Sequence, residues 1–448
     1  MTSFLLELAW TGTSLERRLL LEEASGRIQR LERLGSQRAP GDAVVISGLT
    51  IPGLCNGHSH AFHRALRGRT EDPDVRADTF WSWRSEMYRL AGRLEPANYH
   101  RLARAVYGEM ALAGITAVGE FHYLHHQGGG APYPGPEMEE ALVAAASEAG
   151  IRLTLLDTCY LRPGFAGGAL EGAPARFSDS DPLTWVRRVS GFPEQPGVKL
   201  GAAIHSVRAL DQEAIATVAS WARERQAPLH LHLSEQPAEN RECLAATGMT
   251  PTELVDSLGV LGPMTTAVHA IHLSPDDIHR LGASATVICV CPTTERDLGD
   301  GVCPAAELAA AGAPLCLGSD SNSVVDLFEE ARAVELDQRL VTHRRGIHSA
   351  DSLLWAATRG GAVALGWDAG ELAVGRLADF VSLDTESPRL AGPARLDLVS
   401  RVVYAASPSD VRHVVVGGKT VVSDGRHLRL GAVGSLLAQE LETLEADS

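Results

Sequence analysis

Eight short apolar runs that end in polar or glycine-rich turns, amphipathic stretches between them, and strand-like segments confined to the chain ends predict an α/β fold. The architecture they imply is a TIM-type (β/α)8 barrel with a small β-sandwich domain built from both termini. The runs are GLTIPGLCNGHSH, AGITAVGEF, GIRLTLLDTCY, GVKLGAAIH, APLHLHLSE, TTAVHAIH, ATVICVCPTTE and APLCLGSD. Strands that alternate with helices form a parallel sheet, and eight such units close it into a barrel. The helix candidates EMEEALVAAASEAG and LDQEAIATVASWARERQ repeat apolar residues at three- and four-residue steps, which gives each one face for the sheet.

At the ends, FLLELAW and AVVISG read as strands, and so do the short alternating runs of ELAVGRLADFVSLD and DLVSRVVYAASPSDVRHVVVGGKTVVSDGR. Residues 1–50 and 375–448 are therefore assigned to the β domain and 51–374 to the barrel. A length of 448 residues suits one large barrel with an appendage. Apolar residues at 45% and charged residues at 21% exclude disordered, collagen-like and disulfide-scaffold classes. The formal charge of −16 is the wrong sign for binding nucleic acid. The opening segment does not read as a signal peptide, and no run of about eighteen uncharged apolar residues appears. A cytoplasmic protein without membrane contact is expected. Seven Cys with no framework spacing fit free buried thiols, and Cys289 and Cys291 read as packing residues.

NGHSH places His58 and His60 one residue apart at a strand end, so alternation turns both imidazoles to one face and Ser59 to the other. Such a pair alone is as often structural as metal-binding. Later strand ends add His230 and His232 with Glu235 beyond them, His269 and His272, and Asp320 in LGSDSN. In a parallel barrel the carboxyl ends of the strands gather in space, so three histidines and one carboxylate can surround one ion. That set suits zinc best and leaves a position for water. His232, nearer the strand end, is the ligand candidate and His230 its support; His272 falls in the loop.

NGHSHAFHRALRG, FWSWRSEMYR, GEFHYLHH, HLHLSEQ, VHAIH, CPTTERDLGDG and LGSDS, in this order, resemble the amidohydrolase superfamily. Within it, FWSWRSEMYR, EFHYLHH and ERDLGDG resemble the N-formimino-L-glutamate deiminases of histidine degradation. The resemblance implies one divalent metal ion, usually zinc, on His58, His60, His232 and Asp320. It implies Glu235, His269 and Asp320 as catalytic groups, formation of N-formyl-L-glutamate and ammonia, and often a homodimer. A two-metal arrangement needs a carbamylated lysine at a strand's carboxyl end, and Lys199 lies near the opposite end. For a dicarboxylate substrate the resemblance points to Arg84, Tyr123, His205 and Arg208, with His63 beside them, and arginine matches carboxylate geometry with two parallel donors. Phe80, Trp81 and Trp83 are read as packing, and ERDLGDG as a loop over the site in which Glu295 or Asp300 faces inward.

Three departures from the family pattern spare the metal positions: His63 where Gln is usual, Asn322 where His is usual, and a segment 161–177 without the family's glutamines. They fall where substrate is chosen, so deamination of a purine or pterin-like heterocycle is the near alternative. A non-catalytic barrel scaffold is disfavoured because every matched ligand position is occupied.

Overall fold

The computed structural model describes residues 2–69, 80–193, 195–393 and 397–446. Two eight-stranded sheets organise it. Four strands come from the N-terminal segment: β1 (Thr2–Trp10), β2 (Leu15–Ala24), β3 (Arg27–Arg33) and β4 (Val44–Pro52). The barrel follows in β5 (Leu54–Ser59), β6 (Ile115–His122), β7 (Arg152–Cys159), β8 (Val198–Ile204), β9 (Leu229–Leu233), β10 (Thr265–His269), β11 (Val287–Val290) and β12 (Leu315–Leu317). The chain then returns to the first sheet in β13 (Phe380–Leu383), β14 (Val411–Val416), β15 (Lys419–Ser423) and β16 (Arg426–His427).

All eight runs expected to build the barrel do so, in sequence order and in parallel. Closure between β12 and β5 is made by the backbone itself: the Asp320 amide donates to the His58 carbonyl and the His60 amide to the Asp320 carbonyl, each at 3.0 Å. The barrel strands are buried almost end to end, as a sheet covered by helices outside and side chains inside demands.

The first predicted run, GLTIPGLCNGHSH, is divided. Its opening residues belong to β4 of the terminal sheet and its end to β5 of the barrel, joined through Gly53. A Cβ on Gly53 would lie 2.3 Å from the Thr116 hydroxyl, so only glycine passes there.

The terminal strands form one mixed sheet in the order β16-β15-β14-β13-β4-β1-β2-β3. Strands from its distant edges, β2, β3 and β14, meet in one apolar cluster with Phe4, Leu6, Ile46 and Phe380, so the sheet folds over on itself as a sandwich does. The β1–β4 register shifts between Leu6 and Leu8, where β4 advances three residues, Ile46 to Leu49, against two of β1. Ile46 therefore faces that cluster while Leu49 and Ile51 face the barrel core, because a one-residue shift exchanges the two sides of a strand.

One expectation is corrected. DLVSRVVYA, read as strand, is the helix Leu398–Ala405, whose buried Leu398, Val402 and Val403 share one face. The end of the chain adds a helix, Val433–Ala446, against the barrel helix Pro96–Leu112, where Arg101 Nε lies 2.6 Å from Glu440. The Arg152 guanidinium meets Asp379 at 2.7 and 2.9 Å, joining the base of β7 to the terminal sheet. All seven cysteines are free and buried. No helix among the described residues is long and apolar enough to cross a membrane.

Candidate active site

His58 and His60 turn into the barrel while Ser59 turns away to bond Glu120 Oε2 at 3.0 Å. Two backbone carbonyls fix the tautomers of the neighbouring rings. His60 Nδ1 lies 2.9 Å from the Phe121 carbonyl and His232 Nδ1 2.9 Å from the His205 carbonyl, so each Nδ1 carries the proton and each Nε2 presents a lone pair. These lone pairs converge. His232 Nε2 is 3.2 Å from His58 Nε2, and Asp320 Oδ1 is 3.3 Å from His58 Nε2 and 3.5 Å from His60 Nε2. Four ligands on a tetrahedral zinc at about 2.0–2.1 Å lie about 3.3 Å from one another, so the donor set has the spacing of an ion's coordination shell. Burial holds the imidazoles of His58, His60 and His232 below their ordinary pKa, which keeps them neutral and able to ligate.

Asp320 divides its two oxygens. Oδ1 belongs to the donor set, and Oδ2 faces His269 Nε2 at 3.7 Å. Glu235 Oε1 lies 3.7 Å from the same nitrogen, so His269 stands between the two carboxylates. Burial opposes charge on His269, but Glu235, Glu295 and Asp320 together raise its pKa to about 10. Its other nitrogen meets Glu295 Oε1 at 3.3 Å, which shows Glu295 facing inward. His269 holds this place from a left-handed backbone, φ +71°, sustained by bonds from the Ala270 and Ile271 amides to the Leu233 and Ser234 carbonyls.

A cavity of about 50 Å³ opens beside the donor set, walled by His63, Trp83, Arg84, Tyr123, His205 and Arg208 among others. His63 Nε2 meets the Tyr123 hydroxyl at 3.0 Å, and burial lowers its pKa to about 3, so it is a neutral ring. His205 contributes its ring to the wall and its carbonyl to His232. Arg84 Nε lies 2.5 Å from the Tyr88 hydroxyl. Arg208 Nη1 is buried without a hydrogen-bond partner. Burial disfavours ionising the Tyr160 phenol, yet Arg208 and Arg84 beside it bring its pKa below the ordinary value, so this end of the cavity is cationic. Trp83 packs edge-on against His63 at 5.0 Å and also lines the cavity; the side chains of Phe80 and Trp81 lie outside the described residues.

The remaining sequence candidates lie elsewhere. His230 bonds the Ala364 carbonyl at 2.9 Å, His272 bonds the Asp300 carbonyl at 2.9 Å, and Lys199 stands at the start of β8 with its ammonium over the Trp367 ring. Asn322 braces the barrel seam, donating to the Ser59 hydroxyl, the His60 carbonyl and the Asp320 carbonyl at 3.1, 2.9 and 3.2 Å. The segment 161–177 ends in Arg176, which donates to the His126 and Ala91 carbonyls, and Phe177, which packs on Tyr123 and Tyr160.

Tyr88 and Tyr160 escaped the sequence reading. Tyr160 follows β7 directly, so its position after a strand end was an available signal; Tyr88, on the helix Phe80–Ala91, stands in FWSWRSEMYR, one of the motifs that carry the resemblance. EFHYLHH also supplies a second histidine cluster, His122 and His125 against Glu139. Both nitrogens of His125 face acceptors, Glu139 Oε1 at 2.8 Å and the Thr158 carbonyl at 2.9 Å, so the ring is a double donor with no lone pair to ligate. Arg188 joins Glu139, Asp157 and Asp179 around it. This cluster is a buried ion network.

A barrel whose strand ends bring three imidazoles and a carboxylate together, with a proton-carrying acid alongside, defines a metal-dependent hydrolase. The model of the amidohydrolase family matches residues 49–421, and the chain belongs to that family. A formimidoylglutamate deiminase of Pseudomonas aeruginosa is 39% identical over 395 residues, 86% of this chain and 87% of its own. An 8-oxoguanine deaminase of the same organism is 32% identical over 432 residues, 93% of this chain and 92% of its own. Among solved structures, an amidohydrolase from Brucella melitensis matches with a TM-score of 0.91 at 32% identity, covering 99% of this chain and all of its own. An adenosine deaminase from Xanthomonas campestris with bound zinc shares the fold, with a TM-score of 0.85 at 21% identity, covering 99% of this chain and 98% of its own.

Proposed function

We propose that the protein is a cytoplasmic, zinc-dependent deiminase that hydrolyses N-formimino-L-glutamate to N-formyl-L-glutamate and ammonia. The observation that carries this reading is the cationic end of the cavity, where Arg208 presents a buried, unpaired Nη1 beside Arg84, in the same cavity as the donor set and Glu235. A buried guanidinium donor without a partner is costly, and a carboxylate satisfies it in two-pronged geometry. A substrate with two carboxylates has use for two arginines; a purine ring does not.

His58, His60, His232 and Asp320 would hold the ion, which supplies hydroxide near neutral pH by lowering the pKa of bound water from 15.7 towards about 7. Asp320 Oδ2, turned towards His269, is placed to take the attacking water's proton. Addition of water to the formimino carbon would give a centre bearing two nitrogens and one oxygen. Glu235 delivers a proton to the nitrogen that leaves as ammonia, and His269 Nε2 donates to the developing oxyanion. His63, neutral and tied to Tyr123, narrows the cavity on the side nearest His60.

The relatives that deaminate purine-type compounds favour a second reading, a heterocycle deaminase on the same machinery. Ammonia release from formiminoglutamate, guanine and adenosine separates the two. Turnover of a heterocycle with formiminoglutamate inert overturns the first. Arg208→Ala is expected to raise KM for formiminoglutamate by about ten-fold or more, the value of one charge-assisted bond, while kcat changes less. An unchanged KM removes Arg208 from substrate binding.

A further inference from the structure

The helix Pro292–Asp297 supplies Glu295 to His269 and the loop 298–301 after it supplies Leu298 to the cavity wall, but the chemistry above leaves Asp300 unused. Asp300 is 3% exposed. Its amide donates to the Glu295 carbonyl at 2.9 Å, its carbonyl accepts from His272 Nε2 at 2.9 Å, and its Oδ1 accepts from the Gln236 amide. Its Oδ2 is buried with no partner. Gln236 follows Glu235 directly and stands just before the helix Pro237–Thr247. The next residue, Gly301, lies in the left-handed region at φ +128°, where an added Cβ would come within 3.0 Å of Ile271 Cγ2; the loop thus rests on the segment after His269.

We propose that Asp300 is a positioning residue: through Gln236 it fixes the turn that presents Glu235 to the leaving nitrogen, and through its backbone it ties that turn to Glu295 and His272. It is bonded to the Glu235 turn and to the segment after His269 at once. Its surroundings say in which form it acts. Glu235, Glu295 and Asp320 are negative neighbours and His269 the facing cation; burial first, then Glu235, push the Asp300 carboxyl up to about 9. As an uncharged acid it accepts from Gln236 without adding a further negative charge beside Glu235, and asparagine is the isostere of that form.

The test compares Asp300→Asn, Asp300→Ala, Gln236→Ala and the double alanine variant in the intact, metal-loaded enzyme. Metal content, kcat and KM are measured on whichever ammonia-releasing substrate the wild type turns over, so failure of the formiminoglutamate assignment leaves the comparison intact. Each single alanine variant is expected to lower kcat by about ten-fold or more with KM within about three-fold and full metal, since small misplacements of catalytic groups cost on that order. The double variant is expected to be no slower than either single one, and Asp300→Asn to stay within about three-fold of wild type. Asp300→Ala with wild-type kcat, Asp300→Asn as slow as Asp300→Ala, or additive losses in the double variant overturn the proposal. Should Asp300→Ala not fold, Gln236→Ala decides: lowered kcat at full metal supports the bond's role, and unchanged kcat or lost metal refutes it.

Discussion

At the scale of single residues, the site separates groups that hold from groups that move protons. Glu235→Gln keeps the shape and removes the titrating oxygen, so one metal per chain should persist while turnover falls by about 10²–10⁴-fold. Metal analysis beside ammonia release checks both halves, and undiminished turnover would take proton transfer away from Glu235. Asn322→Ala strips three acceptors at the barrel seam of their shared donor, and a loss of about 1–3 kcal/mol is expected in denaturant unfolding. Much of this layer was legible. Strand alternation alone put His58 and His60 on one side with Ser59 on the other, and the strand-end rule gathered His232, His269 and Asp320. Glu295 was legible as a member of ERDLGDG but not in orientation, because that run opens in the helix Pro292–Asp297 rather than in a loop, and its tie to His269 depends on which face of the helix meets that ring. His205 shows the same limit: its carbonyl fixes the His232 tautomer, a service that its identity as histidine does not disclose.

At the scale of elements, the seam between β5 and β12 is a close join. A Cβ on Gly57 would lie 2.9 Å from Cys316 Sγ and 3.1 Å from the Leu317 carbonyl. Gly57→Ala should therefore cost about 1–3 kcal/mol and weaken metal retention, since His58 is the next residue. Thermal melts with and without added zinc measure both; an unshifted melt would mean that the seam yields freely. The barrel strands were readable because each is a compact apolar run with a polar end. The hairpin β2–β3 was not assigned, although Ser25 and Gly26, both at positive φ, form its two-residue turn; the charged faces of LERRLLLEEA and RIQRLER masked their alternation. DLVSRVVYA was read as strand because valine and tyrosine favour one, yet its apolar residues at four- and five-residue steps face the helix Leu327–Thr342, and packing overrides that preference.

At the scale of the whole molecule, the ion network around Arg188 sets the acid limit. Burial opposes ionisation of Glu139 and Asp179, but His122, His125, His126 and Arg188 hold both carboxyls below their ordinary pKa. Their contribution is full above the unfolded carboxylate pKa of about 4 and is lost as pH falls below it towards the folded values. Melting temperature should drop on acidification through that window, and Asp179→Asn should flatten the slope; an unchanged slope would remove Asp179 from the account. Chelation should lower the melting temperature as well, by up to about 4 kcal/mol of linkage at a thousand-fold excess of metal over Kd.

The strand pair β4–β13 joins residues 44–52 to residues 380–383, and β4 runs through Gly53 into the first barrel strand. A ribosome releases β4 hundreds of residues before β13, so the terminal sheet is completed only when synthesis has nearly ended. The first stave of the barrel thus gains its last anchor late, and the metal cage begins four residues beyond that stave's start.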